Sequence, residues 1–125
     1  MVNEFEDIHY GMIKEWWQAH EMPIIPRDYL PTYGLIVPNI AAGFLISTDC
    51  NLGILEYFVS NPQSKAKQRD LALDQIVKGL IKYGESIGIT NFKADTDVLA
   101  IENRAKRFGF KHVGEFQTYF LNVRE

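Results

Sequence analysis

Leu52-Gly53-Ile54-Leu55-Glu56-Tyr57-Phe58-Val59-Ser60-Asn61-Pro62 opens the stretch that decides the fold; Lys65, Lys67 and Arg69 follow, and then Leu73, Ile76, Val77, Leu80, Ile81 and Ile87. Leu52, Ile54, Leu55, Tyr57, Phe58 and Val59 make a nearly continuous apolar run, the pattern of a strand buried on both faces. Asn61 and Pro62 end it. Beyond the basic turn the apolar residues recur at helical spacing, which predicts a helix with one face to bury. Strand, cationic loop and helix N-terminus in that order aim backbone N–H groups and positive charge at one place. Such a place suits an anionic ligand, most often a phosphate.

The chain has 125 residues, the size of one domain with one core, and residues 1–125 are read as a single domain. A hydrophobic share of 46% against 23% charged residues belongs to a folded globular protein rather than a disordered one. The formal net charge of -3 argues against nonspecific binding of nucleic acid, although Arg104, Lys106, Arg107 and Lys111 form one local basic group. The single cysteine, Cys50, excludes an internal disulfide and fits a reducing compartment. His9, His20 and His112 have no Cys or carboxylate at ligand spacing, so no metal site is expected. No apolar run approaches the ~20 residues that span a bilayer, and the acidic opening is unlike a signal peptide. A cytoplasmic protein without membrane contact is the expectation.

Outward from the central stretch toward the N-terminus, Thr48 to Asn51 supplies a turn, and Ile40 to Ser47 pairs with Tyr33 to Val37 about Pro38-Asn39. Pro23, Pro26 and Pro31 leave an ordered loop that carries His20, Asp28 and Tyr29, with one helical turn behind Pro26. Asp7 is the expected N-cap of a helix from about Ile8 to His20, with Ile8, Met12, Trp16, Ile13 and Trp17 as the candidates for its buried side. Trp16 and Trp17 are adjacent, hence about 100° apart on the helix, and one of them is expected to line a surface cleft. Toward the C-terminus, Gly88 stops the long helix, while Gly79 and Gly84 either interrupt it or mark close packing. Ile89 to Ala94 reads as a strand that a right-handed crossover places parallel to Leu52 to Val59. A second helix is expected from about Val98 to Phe108, and the alternating tail reads as a closing hairpin turning near Gly114. The sum is an α/β (α+β) domain with a mixed sheet of about six strands.

The order of elements, the strand ending Val59-Ser60-Asn61-Pro62, the basic loop and helix, and Arg107-Phe108-Gly109-Phe110 before a strand pair together resemble the GCN5-related N-acetyltransferase (GNAT) superfamily. Trp16-Trp17 with His20, Pro23, Pro26 and Leu30-Pro31 is similar to small bacteriophage-encoded acetyltransferase-like proteins. The resemblance implies a mostly antiparallel sheet containing one splayed parallel strand pair, with acetyl-CoA as co-substrate lying in the splay. It implies that backbone groups of Phe58 and Val59 hold the pantetheine, and that Lys65, Ala66, Lys67, Gln68, Arg69 and Asp70 stand at the phosphate loop. Asp97 lies near the family's asparagine position. Glu56 becomes the general base for an amine acceptor, small molecule or protein. Trp16, Trp17, His20, Asp28 and Tyr29 fall where the family builds part of its acceptor pocket.

The sequence also departs from the family pattern. The phosphate loop of the family carries two glycines where this chain has Gln68 and Asp70, and its general-acid tyrosine corresponds to Ala105. The implied function is acetyl transfer to an amine by direct attack. The alternative is a catalytically inactive module that binds a protein, as a phage accessory or virion component. A homodimer is compatible with either.

Overall fold

The computed structural model describes residues 1–96, 99–115, 117, 119 and 121, in two compact units, Met1–Asp95 and Thr96–Glu125. In the first unit a five-stranded sheet has the order β1 (Asn3–Glu4), β2 (Tyr33–Val37), β3 (Ala41–Ser47), β4 (Leu52–Ser60), β5 (Asn91–Lys93). All neighbours are antiparallel except β4 and β5, which run parallel. Helix α1 (Tyr10–Ala19) precedes β2, and α2 (Ala66–Ser86) makes the crossover from β4 to β5. The mixed α+β architecture with its parallel pair is the expected one. The strand count is five rather than about six: β1, a two-residue exposed strand with no readable pattern, is added. The expected tail hairpin is absent among the described residues, since those from Phe110 onward lie in no strand; Phe116, Thr118 and Phe120 lie outside them.

Alternation along β3 divides the core. Ala42 and Phe44 join Ile13, Trp16, Trp17, Ile36 and Val59 in one cluster on the α1 face. Gly43 faces the opposite way, where a Cβ would sit 3.1 Å from Ile76 of α2. The unit is therefore three layers, helix on sheet on helix. Gly79 and Gly84 do not interrupt α2. They allow close packing, because an added Cβ would come within 2.5 Å of Leu35 and 2.6 Å of Phe92.

Three sequence expectations are corrected. Asp7–His9 forms a 3-10 turn with Glu6, not Asp7, as its N-cap, and Ile8 is 85% exposed because a three-residue period takes it off the apolar stripe. Asp7 instead pairs with Arg27 at 2.7 Å. Strand β4 is only partly buried: Gly53 and Leu55 are buried on the α2 face and Val59 on the α1 face, while its other residues are of intermediate burial. Its pairing with β5 covers only Leu52 to Ile54, and no other strand among the described residues pairs with the rest of that edge. Ile87 is 49% exposed, since it is the C-cap of α2 and no longer on the helical stripe.

Helix ends share one device. After α2, Gly88 N–H bonds to Glu85 O at 3.1 Å and Ile89 N–H to Gly84 O at 2.9 Å, with Gly88 at φ 93. In the second unit, α3 (Leu99–Arg107) ends with the same pair of bonds, from Gly109 to Lys106 and from Phe110 to Ala105, around Gly109 at φ 88. This is the double-bonded stop that glycine favours. Helix α1 uses it too, with Glu21 N–H to Gln18 O and Met22 N–H to Trp17 O, but the left-handed residue is Glu21 at φ 56. A side chain there is strained. Replacing Glu21 by Gly is expected to stabilise the protein by about 0.5–1 kcal/mol in urea denaturation, because the gain in native backbone ease exceeds the added freedom of the unfolded chain.

Candidate active site

The site begins with a fault in the β3–β4 ladder. Ala42 stands opposite Val59 and Phe44 opposite Glu56, so Tyr57 and Phe58 together face Gly43. Two residues against one make a β-bulge, and Tyr57 occupies it at φ 59, a left-handed conformation that costs a non-glycine residue about 1–2 kcal/mol. Such strain persists only where surrounding packing enforces it. Tyr57 packs against the α1-face cluster, the Val59 side chain is inside that cluster, and the Phe58 ring covers Gly43. Their side chains are thus committed to packing, and what remains available on this part of β4 is the backbone that turns away from β3.

The bulge bears on how β4 leaves β5. Pairing runs from Leu52 with Asn91 to Ile54 with Lys93 and stops. From Leu55 to Ser60 the outer edge of β4 has no strand beside it among the described residues. Backbone groups that point away from β3 there need a partner from elsewhere.

Glu56 lies beside this gap. Opposite Phe44, it belongs to the α1 face, as do Ile54 and, across the parallel pair, Lys93. Its carboxyl is half-buried and is pushed above the ordinary glutamate value, chiefly by desolvation and further by the nearby Asp95 carboxylate. A hydrogen bond from the Tyr57 backbone and the charge of Lys93 act in the opposite sense. Lys93 Nζ is 3.6 Å from Asp95 Oδ2, so its charge is shared between carboxylates. Raised basicity at a strand edge open to a ligand is what a general base requires.

At the end of β4 the chain enters a turn built on Asn61. Its N–H donates to Ile40 O (2.8 Å) and its Nδ2 to Asn39 O (2.9 Å), while its Oδ1 accepts from Gln63 N–H (3.0 Å) and its carbonyl from Ser64 N–H (3.1 Å) and Ser64 Oγ (2.6 Å). Gln68 Oε1 accepts from Lys65 N–H at 3.3 Å, half of a capping box at the start of α2. The Arg69 guanidinium turns back to donate to the Ser64 carbonyl. Gln68 and Arg69 are therefore loop-ordering residues. Lys65 and Lys67 are exposed, Ala66 lies between them, and the first-turn N–H groups of a 21-residue helix have no intrahelical acceptor. Asp70 is exposed in the second turn.

The remaining expected site residues are scattered. Trp16 is 5% and Trp17 1% exposed, so both rings are core and neither lines an open cleft. His20 turns its Nε2 to the Ser60 carbonyl at 2.8 Å. Asp28 and Tyr29 sit exposed in a 3-10 turn, Arg27–Tyr29. Asp97 lies outside the described residues. Sequence reasoning missed the left-handed bulge at Tyr57, which a tyrosine does not advertise, and the hub role of Asn61. An Asn-Pro pair followed by Gln63-Ser64 carried a turn signal that was readable only as a strand end. A shallow depression of about 430 Å³ lined by Ile81, Glu85, Gly88, Ile89, Thr90 and Phe92 lies at the far end of α2 from this loop and is no part of the site. Among the described residues no cluster of His, Cys, Asp or Glu is placed to hold a metal ion, and no helix is long and apolar enough to cross a membrane.

No protein-family model matches the sequence, and no curated protein does. Solved structures do match. A probable acetyltransferase superposes with a TM-score of 0.74 at 13% identity, over 98% of this chain and 97% of that one. An acetyltransferase of the GNAT family from Staphylococcus aureus Mu50 gives a TM-score of 0.71 at 12% identity, over 91% and 85%. The aminoglycoside N-acetyltransferase AAC(6')-Iy, in complex with CoA, gives 0.67 at 14% identity, over 98% and 100%. The chain thus has the GNAT acetyltransferase fold.

Proposed function

We propose that the protein is an N-acetyltransferase that moves acetyl from acetyl-CoA to an amine. The observation that carries the reading is the Tyr57 bulge: it opens the edge of β4 beyond its short pairing with β5, with Glu56 on the rim and the Asn61 turn leading to the start of α2. An outward-facing backbone N–H near Phe58 and Val59 bonds the pantetheine and polarises the thioester carbonyl. The first-turn N–H groups of Ala66 and Lys67, with the Lys65 and Lys67 side chains, receive the pyrophosphate. Glu56 takes a proton from the ammonium, through water, as the amine attacks the carbonyl carbon. The carbon–sulfur bond then breaks as the nitrogen gives up its second proton, which reaches the thiolate through water.

Two exposed lysines contribute modestly. The Lys65→Ala, Lys67→Ala double variant is expected to weaken CoA binding about three- to tenfold, with the loss vanishing as salt is raised. Calorimetry at two ionic strengths measures this.

A second reading rests on the loop itself. Gln68 and Asp70 stand where the resembled family has glycines, and their side chains crowd the approach to phosphate. In that reading the chain is a protein-binding module without catalysis. Incubation with acetyl-CoA and a panel of primary amines separates the two: acetylated product with free CoA supports the enzyme, and no CoA binding at millimolar concentration supports the module.

A further inference from the structure

His20 was expected at an acceptor pocket, but its ring faces the end of β4. We propose that His20 is a positioning residue for the cofactor loop, fixing the exit of β4 by donating from Nε2 to the Ser60 carbonyl at 2.8 Å across 40 residues of sequence. The inference deepens the acetyl-CoA reading and rests on it for its function, though not for its geometry.

A carbonyl only accepts, so the proton of this bond is on Nε2. The neutral ring with that tautomer satisfies it. The ring's direction is set by the end of α1. His20 is the C-cap, its N–H bonded to Trp16 O at 3.0 Å, and the strained Glu21 closes the turn immediately after it. On the other side of the same strand end, Asn61 ties the next residue to Ile40 and Asn39 of the β2–β3 turn. Ser60 and Asn61 are thus held from two directions, just before the loop to α2. A loop without glycines has no close backbone approach to spare, so its bonding to an anion depends on being held in one place. Two lateral side-chain anchors supply that constraint.

The test compares the full chain with His20→Ala and His20→Gln, the second retaining a donor at similar reach. Amide hydrogen exchange is followed at 61–68 and in the middle of α2, and CoA itself is titrated calorimetrically. His20→Ala is expected to speed exchange at 61–68 and to weaken CoA binding, each about two- to tenfold, with the middle of α2 unchanged and His20→Gln restoring both. Unchanged exchange at 61–68 in His20→Ala overturns the proposal, as does a rise spread evenly over the chain, which makes the bond one of global stability. Failure of the wild-type chain to bind CoA sinks the acetyl-transfer reading instead, and the exchange data still decide whether His20 holds the loop.

Discussion

Glu56→Gln is expected to lower acetyl transfer about 10²–10⁴-fold while leaving CoA affinity unchanged. The substitution keeps the side chain's shape beside Phe44 and removes only its ability to take a proton. The backbone of β4 and the loop beyond, which hold the co-substrate in this account, are untouched. In the wild-type enzyme the rate should rise with pH as Glu56 ionises, with a midpoint above the ordinary glutamate value because burial and Asp95 both disfavour the charge. Stability should move the other way. A carboxyl whose folded pKa is raised contributes stability below its unfolded pKa, and that contribution is lost as pH rises through the folded value. Glu56→Gln should therefore be more stable than wild type at neutral pH, and the difference should fade below the ordinary glutamate value. Rate profiles and urea denaturation across pH check both halves. A Glu56→Gln enzyme with wild-type turnover removes Glu56 from catalysis.

Phe44→Ala should cost about 3–5 kcal/mol, a large part of the ~5–15 kcal/mol that holds a domain folded. Phe44 is fully buried, meets Phe5 edge-on at 4.8 Å between ring centroids, and lies over Gly34 of the neighbouring strand. Removing the ring leaves a cavity in the α1-face cluster, on a sheet that cannot collapse without breaking a ladder. Because Glu56 lies opposite Phe44, the loss should also weaken transfer in whatever fraction remains folded. The midpoint of urea denaturation measures the first effect, and the specific activity of the soluble fraction the second. A cost under about 1 kcal/mol would place the load of the core elsewhere than the α1 face.

How much of this was legible in the sequence depends on which residues carried a pattern. The hairpin of β2 and β3, the strand β4, the long helix and its Gly88 stop were readable because alternation, helical period and a glycine each name a conformation. Strand β1 was not, since two exposed residues, Asn3 and Glu4, are held by backbone bonds to β2 alone. Angle misled at Trp16-Trp17: adjacent helical positions suggested one ring at a cleft, yet both rings are buried in the α1-face cluster against which Tyr10 and Tyr57 pack. The candidate site was legible in outline, as a carboxylate in an apolar strand and cations before a helix. Its geometry was not, because a left-handed tyrosine and an asparagine with its bonds spread over two turns are set by tertiary contacts that no local pattern announces.

The most direct test is a calorimetric titration of the unmodified protein with CoA. Saturable one-to-one binding that weakens with salt is the predicted result, and an about three- to tenfold weaker binding in Lys65→Ala, Lys67→Ala at low salt would locate it at the start of α2. No heat and no saturation up to millimolar CoA would contradict the account, leaving the acetyltransferase fold without its co-substrate.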